Sequence, residues 1–177
     1  MNIFDRSQNN RIVENEVEKS EYGIYIASSN NIVIGNTVRN SGYGIHSSSD
    51  NAVSGNTLKS NKYGIFLEDG ASHVEVSRNV FENNKYGVYL YISSNNRIIG
   101  NRIENNKNGI FLEISSGNNV IGNIISSNDE GIHLLCSPNN NICENSIMGN
   151  ELGICFNESL SNEVHSNNFK DNKKDSY

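Results

Sequence analysis

The sequence is short of several residue types that larger soluble domains use freely. It has no tryptophan, one proline and three cysteines in 177 residues, and only 35% of its residues are hydrophobic. That is lean for a globular core of this length. No apolar run reaches 18 residues, which excludes a membrane-spanning helix. Cys136, Cys143 and Cys155 are odd in number and confined to the C-terminal third, so they do not form a disulfide framework.

Positive charge is also scarce. Fourteen Lys and Arg stand against twenty Asp and Glu, a formal net charge of −6. This balance argues against a general nucleic-acid binder, because such proteins need a basic surface. The polar N-terminus has no hydrophobic secretory segment.

What the sequence has in abundance is asparagine, with 34 copies, and glycine, with 15. Both residues tolerate left-handed backbone, so the chain is dense in permitted turns. Eight of the asparagines recur at intervals of 20–23 residues, each followed two residues later by an apolar side chain. These anchors are Asn15, Asn36, Asn56, Asn79, Asn101, Asn123, Asn145 and Asn167. A glycine always follows eight residues after the first seven anchors, so the variation in length falls between that glycine and the next anchor.

Apolar residues occupy fixed offsets from the anchor: three before it, and two, nine and eleven after it. Between them the residues are mostly polar, and the alternation shifts phase at Asn or Gly, which predicts three short strands per repeat. One repeat cannot bury its own apolar residues, whereas stacked repeats can, at a spacing of about 4.8 Å. Asparagines would then hydrogen-bond up two columns, at the anchor and five residues after it.

These features predict an all-β, right-handed, single-stranded parallel β-helix of about eight coils, forming one domain over residues 1–177. The short spacing between apolar residues and the high content of Asn and Gly exclude a helical solenoid. The absence of a hexapeptide pattern excludes a left-handed β-helix. Ile3-Phe4 aligns with Ile110-Phe111, so the N-terminus reads like the tail of a preceding coil. No capping helix is visible at either end, and we expect a segment of a longer protein or a unit that stacks end to end.

The repeat NNxIxGNxIxxNxxGIxLxxS, best matched by residues 95–116, resembles the parallel β-helix repeat family. That family includes NosD-like proteins and carbohydrate-binding and sugar-hydrolysis domains. The resemblance covers essentially the whole chain. It implies the fold and an extracellular or cell-surface location, but it is weakly specific for function, because related β-helices include lyases, pectinases, epimerases and adhesins.

The most promising functional surface follows the glycine of each coil. Residues ten and twelve past the anchor should point outward, because their neighbours at nine and eleven point inward. They would form a strip of aromatics, histidines and carboxylates that suits an extended glycan. The predicted ligand-binding residues are Tyr25, His46, Phe66, Glu68, Tyr89, Tyr91, Phe111, Glu113 and His133. The alternative interpretation is structural, since outward aromatics favour strands and stack with one another.

Two further rows border this strip. Tyrosines stand just before the glycine in four coils, where packing over the glycine is their expected role. Beside them Lys62, Lys85 and Lys107 stack in successive coils and would welcome an anionic ligand such as a uronate. Glu82 and Glu104, three residues upstream, are expected to neutralise them in a solvated turn.

Glu68 and Glu113 are the candidate catalytic carboxylates. They share a row two coils apart, about 9.6 Å between backbones, near the separation in inverting glycosidases. His46 and His133 lie four coils apart, too far to cooperate. No cofactor is expected. Cys143 and His165 should be neighbours in adjacent coils, but two ligands do not complete a metal site, so none is predicted.

The sequence therefore favours a non-catalytic carbohydrate-binding or cell-surface structural module. Its expected partner is an extended polysaccharide, with end-to-end self-association or further coils as other possible contacts. One alternative is a polysaccharide-processing enzyme, a glycoside hydrolase, lyase or uronate epimerase, that uses the same strip. The other is a self-assembling scaffold or fibre unit without a ligand.

Overall fold

The computed structural model describes residues 1–3 and 7–176, and within them every regular element is a β-strand. The strands form three parallel sheets, here called sheets I, II and III, and each full coil gives one strand to each sheet. In sheet I the order is β1 (Asn2–Ile3), β4 (Tyr22–Ile26), β7 (Tyr43–Ser47), β10 (Tyr63–Leu67), β13 (Tyr86–Tyr91), β16 (Asn108–Glu113), β19 (Glu130–Leu135), β22 (Leu152–Asn157) and β25 (Lys174–Ser176).

Sheets II and III are built from three-residue strands. In sheet II the order is β2 (Arg11–Val13), β5 (Ile32–Ile34), β8 (Ala52–Ser54), β11 (Glu75–Ser77), β14 (Arg97–Ile99), β17 (Asn119–Ile121), β20 (Asn141–Cys143) and β23 (Glu163–His165). In sheet III it is β3 (Glu16–Glu18), β6 (Thr37–Arg39), β9 (Thr57–Lys59), β12 (Val80–Glu82), β15 (Arg102–Glu104), β18 (Ile124–Ser126), β21 (Ser146–Met148) and β24 (Asn168–Lys170). The chain is thus a right-handed parallel β-helix of about eight coils, which confirms the predicted fold.

The four apolar rows meet inside the coils and form one continuous core. Ile98, Ile103, Ile110 and Leu112, which lie in one coil, are each fully buried. Ser47 stands in the row eleven residues after the anchor, where most coils have leucine, and it is also fully buried. Its hydroxyl donates to the Ser48 carbonyl at 3.0 Å and accepts from the Asn51 amide at 3.1 Å, so its polarity is satisfied.

The asparagine columns form as predicted. From Asn36 onward, each anchor side-chain oxygen accepts from the backbone N–H of the anchor in the preceding coil, at 2.8–2.9 Å. Two columns were not anticipated. One is a third asparagine column before sheet II, which includes Asn31, Asn51, Asn96, Asn118 and Asn140, and the other is a serine column of Ser93, Ser115, Ser137 and Ser159. Nearly every turn therefore satisfies its buried N–H groups by the same device.

The predicted alignment of the N-terminal tail is wrong by two residues. Ile3 pairs with Ile26, the equivalent of Leu112, rather than with the equivalent of Ile110. A shift of two residues leaves Ile3 on the inward face, so the alternation of apolar residues alone could not fix this register. Phe4 lies outside the described residues.

Candidate functional site

The candidate site lies on the outer face of sheet I. Its central row runs through six adjacent strands in one register: Tyr25, His46, Phe66, Tyr89, Phe111 and His133. Tyr91 pairs with Glu113 in the same way. Glu68 directly follows β10, so Glu68 and Glu113 stand two coils apart, as the spacing predicted.

A second aromatic row covers part of the first. Tyr22, Tyr43, Tyr63 and Tyr86 stack almost face to face, with ring centroids 4.7–5.3 Å apart and interplanar angles of 5–14°. These rings also pack on the central row, as Tyr63 does on Phe66 at 5.1 Å. As a result His46 and Phe66 are only 8% and 6% exposed. The prediction of a fully outward strip is corrected at these two residues, because the tyrosines fold across them.

The double row also changes how a sugar could be bound. Ring faces that stack on one another are not free to stack on the apolar face of a sugar. What the rows present to solvent is their rim, made of phenol hydroxyls and ring edges. A ligand along sheet I would therefore be held mainly by hydrogen bonds and charge.

His46 and Glu68 form a contact that sequence reasoning missed. Nε2 of His46 lies 3.0 Å from Oε1 of Glu68 in the next coil. Burial lowers the pKa of His46, and burial together with Asp69 raises the pKa of Glu68. Both shifts disfavour charge, so this is a neutral imidazole beside a carboxylate rather than a strong ion pair. Nδ1 of His46 is buried without a hydrogen-bond partner, which suits an unprotonated nitrogen.

The second carboxylate, Glu113, has a different partner. The Tyr89 hydroxyl donates a hydrogen bond to Oε2 of Glu113, across adjacent coils. Burial raises the pKa of Tyr89 well above its ordinary value of 10.0, and the bond to Glu113 raises it further. Glu68 and Glu113 thus have separate aromatic partners in separate coils.

Tyr89 should make folding sensitive to alkaline pH. The folded chain keeps the Tyr89 proton more tightly than the unfolded chain, so this contribution is fully present below pH 10 and is lost as pH rises above it. We expect the free energy of unfolding, measured by urea titration between pH 8 and pH 11, to fall less steeply in Tyr89→Phe than in the wild type. Equal slopes in the two proteins would contradict this assignment.

A third polar cluster surrounds His133. Its Nδ1 lies 2.7 Å from Oε2 of Glu130, which also accepts from the Asn108 amide at 2.5 Å. Nε2 of His133 is buried without a partner, and Cys155 is the next residue along the row. Burial raises the pKa of Cys155, and Glu130 adds to the effect, so its thiol stays protonated. Glu130 and His133 are three residues apart in the sequence. The alternation of residues along a strand does not predict a contact at that spacing.

The lysine row is not neutralised as predicted. Glu82 bonds Lys59 at 3.0 Å and Glu104 bonds Arg102 at 2.8 Å, so both glutamates serve other cations. The ammonium groups of Lys62 and Lys85 lie 4.9 and 5.1 Å from the ring centroids of Tyr63 and Tyr86. The expectation was wrong because Glu82 and Glu104 point along sheet III, where those cations stand in the strands. The lysines instead extend the rim of the aromatic rows.

The longest coil builds a cavity beside Glu68. The spacing from Asn56 to Asn79 is the only one of 23 residues, and its extra turn at residues 68–71 forms one wall of a space of about 210 Å³. Tyr25, His46 and Asp69 contribute to the lining, together with the small residues 47–49. The length of this coil was a signal in the sequence that could have marked the site.

In the part of the chain that the structure describes, soft metal ligands meet as pairs in adjacent coils. Cys143 and His165 are neighbours in adjacent strands, as predicted, and His133 neighbours Cys155 in the same manner. Among residues 1–3 and 7–176 no group of three or more His, Cys, Asp or Glu is placed to hold a metal ion. In the same part of the chain no helix is long and apolar enough to cross a membrane.

Solved structures with this architecture include several alginate epimerases. The A-module of the Azotobacter vinelandii mannuronan C-5 epimerase AlgE4 superposes with a TM-score of 0.81 at 14% identity, covering 94% of this chain and 55% of that one. The periplasmic alginate epimerase AlgG gives a TM-score of 0.67 at 21% identity, covering 93% and 50%. This chain spans about half the length of these proteins, and at such identities the likeness shows the fold alone.

At the level of sequence, no curated protein matches the chain significantly. A family model does match, over residues 2–61 and 30–177, and it is described as periplasmic copper-binding protein (NosD). Together the two matches take in nearly the whole chain, and the repeat that they share is the one that builds the three sheets. The chain belongs to the NosD family of parallel β-helix proteins.

Proposed function

We propose that the chain is a non-catalytic module that binds an extended acidic polysaccharide along sheet I, in an extracellular or periplasmic compartment. The lysine row carries the proposal. Lys62 and Lys85 hold their ammonium groups over the tyrosine rims in successive coils, while the nearby glutamates bond other cations. Lys107 continues the row at the same offset in the next coil.

The spacing of this row fits a linear glycan. Successive lysines stand one coil apart, about 4.8 Å along the axis, so the row offers a line of evenly spaced cations to a linear polyanion. Each ammonium would meet one carboxylate, while the tyrosine hydroxyls beside it bond sugar hydroxyls. The compartment is proposed from the NosD family description and from the periplasmic AlgG structures.

A role for copper finds less support in this chain. The family description names copper binding, but the described residues offer His and Cys only as pairs, and the Cys155 thiol is held in its protonated form. A complete copper site needs more soft ligands than either pair supplies. The structure does not fit a resident copper ion, and we derive no function from one.

The polysaccharide proposal is tested by removing the lysine row. The triple variant Lys62→Met, Lys85→Met and Lys107→Met keeps the apolar stems and removes three charges. We expect about tenfold weaker binding to alginate, because each exposed charge pair contributes up to about 1 kcal/mol. Affinity electrophoresis in alginate gels measures the change, and added salt should weaken binding by the wild type.

The matched control removes three cationic side chains elsewhere, as Lys19→Met, Arg78→Met and Lys170→Met, with the same change in net charge. It should bind alginate like the wild type. Equal losses in the two triple variants, or equal binding to neutral dextran, would sink the proposal. Release of shortened or unsaturated products during the assay would show instead that the sheet I face is an active site, with Glu68 or Glu113 as the acid or base.

A further inference from the structure

The cavity beside Glu68 carries negative charge without a cation of its own. Glu68 and Asp69 line it, and no Lys or Arg from the described part of the chain does so. Among the described residues, Glu68 has one ion-pair contact, with His46 at 3.0 Å, and burial lowers the pKa of that imidazole. Glu68 is itself only 32% exposed, so water screens its carboxylate incompletely. The cavity is therefore suited to binding a cation.

Aromatic rings form the adjoining wall. Tyr22 and Tyr25 meet at 70° with their centroids 5.4 Å apart, and both line a cleft that shares His46 and Glu68 with the cavity. Tyr22 and Tyr25 begin their rows, so among the described residues each has a ring of its own row on one side only, in the following coil. An ammonium group in the corner between the two rings is attracted by the ring faces and by the carboxylates together.

We propose that this corner is a binding site for an organic ammonium group, such as the amine of an amino sugar. The size agrees, since about 210 Å³ holds one sugar residue or a small amine. The lining favours an organic cation over a metal ion, because it has an aromatic wall and only two carboxylates, and the described residues place no group of three or more His, Cys, Asp or Glu to hold a metal ion. The site goes beyond the proposed polysaccharide surface, whose lysines lie before the strands of sheet I, whereas Glu68 and Asp69 follow them.

The experiment compares glucosamine with N-acetylglucosamine, which has the same ring without the charge. Saturation-transfer NMR should show glucosamine binding to the whole chain and no binding of N-acetylglucosamine. Glu68→Gln keeps the side chain's size but removes its charge, and should bind glucosamine about fivefold to tenfold more weakly. Tyr25→Leu should weaken it comparably by removing one wall.

Glu16→Gln, an exposed carboxylate in sheet III, is the matched control and should bind glucosamine like the wild type. Thermal melts check that the variants fold. If Glu68→Gln does not fold, the affinity of Tyr25→Leu for glucosamine tests the proposed site. Three results would overturn the site: no binding of glucosamine, equal binding of the two sugars, or full affinity in the folded variants. Displacement of glucosamine by millimolar Ca²⁺ would also overturn it, in favour of a metal site.

Discussion

Asn123→Ala should lower the free energy of unfolding by about 3 kcal/mol, the cost of leaving several buried polar groups without partners. Asn123 is fully buried in the anchor column. Its Oδ1 accepts from N and Nδ2 of Asn101 at 2.9 and 3.0 Å, and its Nδ2 donates to the Ile98 carbonyl and to Oδ1 of Asn145, each at 2.9 Å. Alanine removes all four bonds at once, and water cannot replace them inside the stack. Urea unfolding at neutral pH measures the loss.

Two further variants separate the hydrogen bonds from the side chain itself. Asn168→Ala changes an exposed asparagine of sheet III and should cost at most about 0.5 kcal/mol. Asn123→Asp keeps the shape but replaces a donor with an acceptor, so it should destabilise at least as much as Asn123→Ala at neutral pH. If Asn123→Ala proves as mild as Asn168→Ala, the columns do not hold the coils together.

Gly109→Ala should be at least as damaging, at about 3 kcal/mol or more, because it forces a methyl group into backbone. A Cβ at Gly109 would lie 2.5 Å from the carbonyl oxygen of Gly131 in the next coil and 3.2 Å from the Asn128 amide. Neither neighbour can move without opening the ladder of sheet I. We expect a large drop in the thermal midpoint, or failure to fold.

Gly122→Ala is the companion variant in the adjacent turn. Gly122 has a φ of +64°, and a Cβ there would meet nothing within 4 Å. Its cost should therefore be only about 1–2 kcal/mol, from the left-handed backbone alone. Gly122→Asn should recover part of it, since asparagine tolerates that conformation. A Gly109→Ala protein more stable than Gly122→Ala would contradict the close approach of the coils.

The fold was predictable because its cause is local and repeated. Each coil needs the same inward-facing rows and the same turns. The structural roles of Ile110 and Asn101 can therefore be recognised from the equivalent residues one repeat before and after them. The third asparagine column stands at a constant offset, five residues before the anchor, with Val74 replacing asparagine in one coil, so its signal was already present in the sequence. Ser47 was visible as an exception, but only the structure shows that Asn51 satisfies its hydroxyl.

The candidate site was predictable only as a surface. Alternation shows which residues point outward, but not where a long side chain then turns. Tyr43 and Tyr63 bend across the central row and bury His46 and Phe66, and no periodicity encodes that choice of rotamer. The contacts of Glu68 with His46 and of Glu113 with Tyr89 join residues 22–24 apart, one coil away, so they follow from register and could be found only once register was fixed.

The stacking of coils also governs how the molecule would respond to tension. In the described residues, the backbone hydrogen bonds of the three sheets join each coil to the coils directly before and after it, along the solenoid axis. Force applied to the two chain ends would act first on the hydrogen bonds of the terminal coils and then on those further inside. The chain would therefore unfold one coil at a time, starting from its ends. Each event releases about 22 residues, roughly 70 Å of extended chain. A rod of this kind yields in equal steps under load rather than by a single rupture.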